Sequence, residues 1–119
     1  MPTDRDANEY RMPEVDRLIH EPARYNIMAL LYVVERADFL FVQNQTEMTP
    51  GNLSAHLGKL EAAKYVTIKK KFVGKMPRTS LSLTRKGRGA FEDYRDRMKQ
   101  LLTTPPAMRP DSDDQESSA

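Results

Sequence analysis

At 119 residues the chain has the size of one domain with short extensions, and without a single cysteine it excludes disulfide frameworks, zinc–thiolate sites and thiol nucleophiles. Its 19 Lys/Arg against 17 Asp/Glu leave a net charge of only +2, but unevenly placed: residues 1–13 carry −1, residues 103–119 carry −3, and residues 14–102 hold 16 cations against 10 acids. Residues 1–6 lack the apolar core of a leader, and no apolar stretch approaches the ~20 residues of a membrane span, so a cytoplasmic protein is expected.

Residues 1–13 read as a flexible arm. A turn follows at 15–19, with apolar Val15, Leu18 and Ile19, and is a candidate short helix. The first strong helix opens at Glu21-Pro22, since proline's missing N–H costs nothing in a first turn. Ile27, Leu30, Leu31 and Val34 recur at helical spacing as its buried face. Asp38 is placed to cap a second helix over 39–46, with Phe39, Leu40 and Val42 apolar, and Glu47-Met48 makes the next turn. Thr49 caps a third helix that starts at Pro50, turns Leu53, Leu57 and Leu60 inward and ends at Ala62-Ala63. Lys64 stands where glycine often ends a helix, so a left-handed residue there carries mild strain.

Residues 65–73 read as a strand with Val66 and Ile68 on one face, 74–78 as a turn, and 79–83 as a return strand with Leu81 and Leu83 facing the core. Thr84 caps a final helix over 85–102, whose Phe91, Tyr94, Met98, Leu101 and Leu102 lie near heptad spacing. Residues 103–119, rich in Pro, Ser and acids, read as a disordered acidic tail. The expected fold is mainly α with a small β-hairpin: a winged helix-turn-helix in the order α-α-α-β-β-α, with a long C-terminal helix and a single folded domain over 14–102.

Residues 64–88 carry nine Lys/Arg and no acid, which concentrates positive charge for a polyanion. With Leu53, Leu57 and Leu60 inward, the third helix presents Asn52, Ser54, Ala55, His56 and Lys59, short polar groups suited to base edges in a major groove. Thr49 and the free N–H groups of that first turn suit a phosphate. On the hairpin, Lys70, Lys75 and Arg78 suit the phosphate backbone, while alternation sends Lys69 and Lys71 to the face opposite Lys70. Edge protection against strand-to-strand association is a second use for the same lysines. His20 and His56 lie on different elements, so no metal site is expected. The chain has no glycine-rich phosphate loop, nucleophile elbow or His-Glu-x-x-His, and neither catalytic residues nor a cofactor is expected.

The apolar stripe of the last helix is longer than a thin domain needs. Val15, Leu18, Ile19, Phe91, Tyr94, Met98 and Leu101 are therefore candidates for homodimerisation. A dimer sets two recognition helices one DNA turn apart, ~34 Å, as a palindromic operator requires. Tyr25, Tyr32, Phe91 and Tyr94 surround a possible site for a small apolar effector of unknown identity, with core and dimer packing as the plainer use of those rings.

These segments resemble the small winged-helix transcriptional regulators of the MarR and ArsR families. The likeness lies in Asp16-Arg17-Leu18-Ile19-His20-Glu21-Pro22-Ala23-Arg24, in Thr49-Pro50-Gly51-Asn52-Leu53-Ser54-Ala55-His56-Leu57-Gly58-Lys59-Leu60-Glu61, in the wing Gly74-Lys75-Met76-Pro77-Arg78-Thr79, and in Leu83-Thr84-Arg85-Lys86-Gly87-Arg88-Gly89-Ala90-Phe91. The resemblance implies a dimeric regulator that binds double-stranded DNA through Asn52, Ser54, His56 and Lys59, with Lys75 and Arg78 on the wing. The chain departs from that group at Lys64, where a glycine is usual, and at Met48, where a leucine is usual. A protein-docking winged helix and an architectural DNA coater with little sequence preference are the competing readings. An acidic tail suits either solubility or competition with DNA for the basic surface.

Overall fold

The computed structural model describes residues 15–103; the expected arm over 1–13 and the acidic segment from residue 104 onward lie outside the described residues. Among the described residues, three of the four helices begin where a side chain takes up backbone N–H groups. Glu21 opens α1 (Pro22–Val34): its Oε1 accepts from the Arg24 N–H at 2.8 Å, and that bond holds the Glu21 carboxyl below its ordinary value. Thr49 opens α3 (Pro50–Ala62), its Oγ1 accepting from the Asn52 N–H at 3.1 Å. Thr84 opens α4 (Arg85–Thr103), its Oγ1 accepting from the Gly87 N–H at 2.9 Å. Asp38 precedes α2 (Phe39–Thr46) in the capping position but its side chain makes no capping bond. Its Oδ2 accepts from Arg78 instead, at 3.2 Å. Residues 17–19 form a turn, not a separate helix, with Asp16 O accepting from the His20 N–H at 2.8 Å.

Among the described residues, three antiparallel strands stand in the order β1-β3-β2. The hairpin is β2 (Val66–Val73) and β3 (Met76–Leu83). Val73 pairs with Met76, so the turn is only Gly74-Lys75, with Gly74 at φ +66° and Lys75 outside the positive-φ region, the sign pattern of a type II′ turn. β3 therefore starts three residues earlier than the sequence suggested. Pro77 is accommodated there because β1 pairs only with residues 80–82, which leaves one side of β3 open at the proline. The short β1 (Arg36–Asp38) has no counterpart in the sequence reading: its one buried residue, Ala37, pairs with Leu81.

Ile27, Met28 and Leu31 of α1, Val42 of α2, Leu53 and Leu60 of α3, Leu81 of β3 and Ile19 are fully buried. Met28 is fully buried although the spacing does not single it out, whereas Leu30 is only half-buried and Val34 is 37% exposed at the helix end. Backbone contacts divide the described chain between two compact units, one spanning Asp16–Tyr94 and one to which Val15 and residues 95–103 belong.

The junction from α3 into the hairpin and from the hairpin into α4 is tightly tied. Lys64, at φ +65°, follows α3. Its N–H donates to Glu61 O at 2.8 Å and the Tyr65 N–H donates to Leu60 O at 2.9 Å, the paired bonds of a Schellman end. Across the sheet's base the Thr84 N–H donates to Tyr65 O at 2.9 Å and the Thr84 hydroxyl donates to Lys64 O at 2.6 Å. A Cβ on Gly87 would collide with the Tyr65 carbonyl oxygen and lie 2.8 Å from its carbon, so only glycine lets α4 start this close to β2.

Candidate nucleic-acid interface

The inward leucines of α3 fix what its other side shows. With Leu53 and Leu60 fully buried and Leu57 at 2%, Asn52, Ser54, Ala55 and Lys59 are all exposed. The capped N-terminus carries the positive end of the helix dipole, and Thr49 and Asn52 stand exposed at it. The Thr49 hydroxyl accepts the capping bond and keeps its own O–H to donate.

Strand alternation gives the hairpin two chemically different faces. The core face runs from Val66, Ile68 and Leu81 outward to the Lys70–Thr79 pair and then the Phe72–Pro77 pair. Where it leaves the core, it forms with α3 an open groove of about 550 Å³, lined by Ser54, Leu57 and Glu61 of α3, by Ile68, Lys70 and Thr79 of the hairpin and by Phe39. Ser54 and Lys70, named separately from the sequence, are thus brought to one groove. Thr79 and Glu61 share that groove and were not anticipated, because neither has a distinguishing neighbour in the sequence.

The outer face gathers Lys69, Lys71, Ser80 and Ser82 with Arg36 of β1 around a concavity of about 190 Å³. Arg78 is opposite Lys71 and bonded to Asp38 at 3.2 Å, so its guanidinium is partly neutralised. Lys75 occupies the turn itself and is exposed.

His56 is placed differently from its neighbours on α3. It is half-buried, and its Nδ1 lies 3.2 Å from Arg24 Nη1. A guanidinium has only donors, so Nδ1 is the acceptor and the neutral ring carries its proton on Nε2. Any ligand contact from His56 is therefore a donation from Nε2–H. Arg24 also donates through Nε to Leu18 O at 2.6 Å, which ties α1 to the preceding turn and to α3.

Of the residues named for self-association, Ile19, Phe91 and Tyr94 are buried at 0%, 2% and 7% exposure. Val15, Leu18, Met98 and Leu101 are half-buried. The rings that framed a possible effector site pack on one another, with Tyr25 5.5 Å from Phe91, Tyr25 5.8 Å from Tyr94 and Tyr32 5.2 Å from Phe91. The Tyr94 hydroxyl shares a 2.8 Å hydrogen bond with His20 Nδ1, and desolvation raises its pKa. Among the described residues no group of three His, Cys, Asp or Glu is placed to hold a metal, and no helix is long and apolar enough to cross a membrane.

Comparison with known proteins points the same way as this geometry. The winged helix DNA-binding domain family matches residues 23–102. An uncharacterized protein of Methanocaldococcus jannaschii is 36% identical over 78 residues, which are 66% of this chain and 85% of that protein. The solved structure of a transcriptional regulator homologue from Pyrococcus horikoshii OT3 aligns with a TM-score of 0.70 at 27% identity, over 74% of this chain and 87% of its own. A mutant MarR from E. coli, solved in complex with operator DNA, shares the fold with a TM-score of 0.60 at 16% identity, over 81% of this chain and 75% of its own.

Proposed function

This chain belongs to the winged helix DNA-binding domain family, in a fold it shares with MarR-type regulators, and from that membership we propose that it is a sequence-specific, double-stranded-DNA-binding transcriptional regulator that works as a homodimeric repressor in the cytoplasm. The observation that carries the reading is the groove where Ser54 of α3 meets Lys70 of the hairpin, beside the exposed N-terminal turn of the same helix. Asn52 and Ser54 read base edges, with His56 donating from Nε2. Thr49, Lys59, Lys70 and Lys75 hold phosphates, and Arg78 joins them when it exchanges Asp38 for a phosphate oxygen. No catalytic step is involved.

Dimerisation rests on Val15, Met98 and Leu101, which are half-buried, together with Leu102, which is 75% exposed. Leu18 is half-buried and joins them, whereas Ile19, Phe91 and Tyr94 are buried within the subunit and lend little surface to a partner. The partner is then a palindromic operator with half-sites one helical turn apart, ~34 Å.

Selection from a random duplex pool at two salt concentrations tests the reading. Enrichment of a palindrome with steep loss of affinity at the higher salt is the expected result. Salt-sensitive binding without enrichment would instead mark an architectural coater. A protein-docking role has its own footing in exposed Val33, Val34, Leu40 and Phe41 around the α1–α2 connection, and absence of binding to any duplex at low salt would favour it.

A further inference from the structure

The tip of the hairpin is apolar where a purely electrostatic wing has no need to be. Phe72 is 73% exposed, Met76 60% and Val73 57%, and the cross-strand partners are Phe72 with Pro77 and Val73 with Met76. None of these side chains can complete the core. On the face of Phe72 the Lys70–Thr79 pair intervenes before Ile68 and Leu81, and four residues of strand set Phe72 about 13 Å beyond Ile68. An exposed apolar hairpin with open backbone edges invites association, so its presence asks for a use.

The collar around the tip narrows what that use is. Lys70, Lys71, Lys75 and Arg78 surround it, and neither strand of the hairpin contains an acid. A cationic collar with an apolar point matches a polyanion that keeps apolar surface beneath its charge, which describes stacked bases beneath phosphates. The geometry points to Phe72 and Met76 as an apolar wedge that enters the minor groove, partly unstacks a base step and bends the duplex. This inference rests on the DNA-binding reading above and adds its mode of discrimination. The two residues lie on opposite faces of the hairpin, and an undistorted minor groove is only about 6 Å wide, so entry and deformation are coupled. Pyrimidine–purine steps, TA and CA/TG, unstack most easily and are favoured under the wing without any hydrogen bond to their edges.

The test uses the full chain and an alternating A·T duplex, end-labelled for energy transfer and carrying 2-aminopurine in place of some adenines. Wild type is expected to raise the 2-aminopurine fluorescence and shorten the end-to-end distance. Phe72→Ala/Met76→Ala binds about tenfold more weakly, with the same salt slope and neither signal, as the loss of a stacking contact implies. Phe72→Leu retains both signals. Lys70→Ala/Lys75→Ala flattens the salt slope yet keeps both signals at saturation. All these side chains are exposed, and unchanged thermal midpoints confirm folding. A saturated wild-type complex without fluorescence change, or a double Ala variant with the full signal, overturns the wedge while leaving DNA binding intact. No wild-type binding to the duplex at low salt overturns the DNA-binding reading itself. Phe72-dependent binding to phosphatidylglycerol vesicles without duplex distortion reassigns the tip to a lipid surface.

Discussion

At its base the β2–β3 hairpin belongs to the interior. Val66 and Leu81 are buried, β1 covers the second edge of β3, and Thr84 ties the exit strand to Tyr65. In its outer half, residues 69–78, every residue is exposed, and cross-strand pairing alone continues the ladder. One supersecondary unit thus holds a half whose sequence is constrained by packing and a half free to be specified by a ligand. Substitutions at the base should change stability and leave binding chemistry alone, whereas substitutions in the outer half should do the reverse.

The most severe test of that division is Gly87→Ala. The new methyl meets backbone atoms of Tyr65, which cannot rotate away as a side chain end would. Relief requires α4 and β2 to separate, so the expected loss is about 3 kcal/mol or more, at the upper end of overpacking costs. Urea midpoints at unchanged slope measure it. A wild-type midpoint would show that the junction is not rigid and would remove the contrast between the two halves.

The outer half is sharpened by Lys70→Ala/Lys75→Ala. If each lysine holds one phosphate in each subunit of the dimer, the slope of log affinity against log salt becomes shallower by about 4, with a thermal midpoint unchanged within error. A fall in the midpoint would mean that the wing's cations stabilise the fold; an unchanged slope would move the phosphate contacts elsewhere. Lys69→Ala/Lys71→Ala, on the face opposite Lys70 that Arg78 shares, is the comparison, and a smaller change is expected there. An equal effect there would show that the duplex does not distinguish the two faces.

Much of this architecture was legible because short-range chemistry decides it. The start of α3 follows from the Thr49 cap before Pro50, and its orientation follows from Leu53, Leu57 and Leu60. What escaped was decided by partners distant in the chain. β1 has a single apolar residue, Ala37, and exists because β3 offers it an edge more than 40 residues later. Residues 74–78 read as a turn, but an uncovered side of β3 accommodates Pro77 within the strand. The Asp38 carboxylate suggested a helix cap, but Arg78, 40 residues away, takes it. His56 sits within the polar stripe of α3, yet its ring is set by Arg24, 32 residues away. The polar face of the candidate site was therefore readable, and the internal commitments of its individual side chains were not.

A smaller effect at the base concerns the Tyr65 hydroxyl, which donates to Asp16 Oδ2. Burial first, and Asp16 second, push its pKa up to about 12 from an ordinary 10. The folded chain keeps this proton while the unfolded chain loses it above pH 10. The stabilisation is complete below pH 10 and drains as pH rises from 10 to about 12. Tyr65→Phe should cost about 1 kcal/mol at neutral pH, as for one net hydrogen bond, and should make the alkaline fall in stability less steep. An identical alkaline profile would assign that fall to other tyrosines.

The smallest expected change has the opposite sign. Lys64 holds φ +65° between α3 and β2, a region that costs an L side chain roughly 1 kcal/mol, and its N–H and the next one close the Schellman bonds. Its side chain is exposed, so Lys64→Gly removes backbone strain without opening a cavity. Greater freedom of glycine in the unfolded chain offsets part of that gain, which leaves a net stabilisation of about 0.5 kcal/mol. Since Lys64 stands at the base, duplex affinity and salt slope should stay where they are. A glycine variant more stable but weaker in binding, with a shallower salt slope, would show that Lys64 reaches a phosphate. The boundary between the packed and the ligand-facing parts of the hairpin would then pass through the helix end itself.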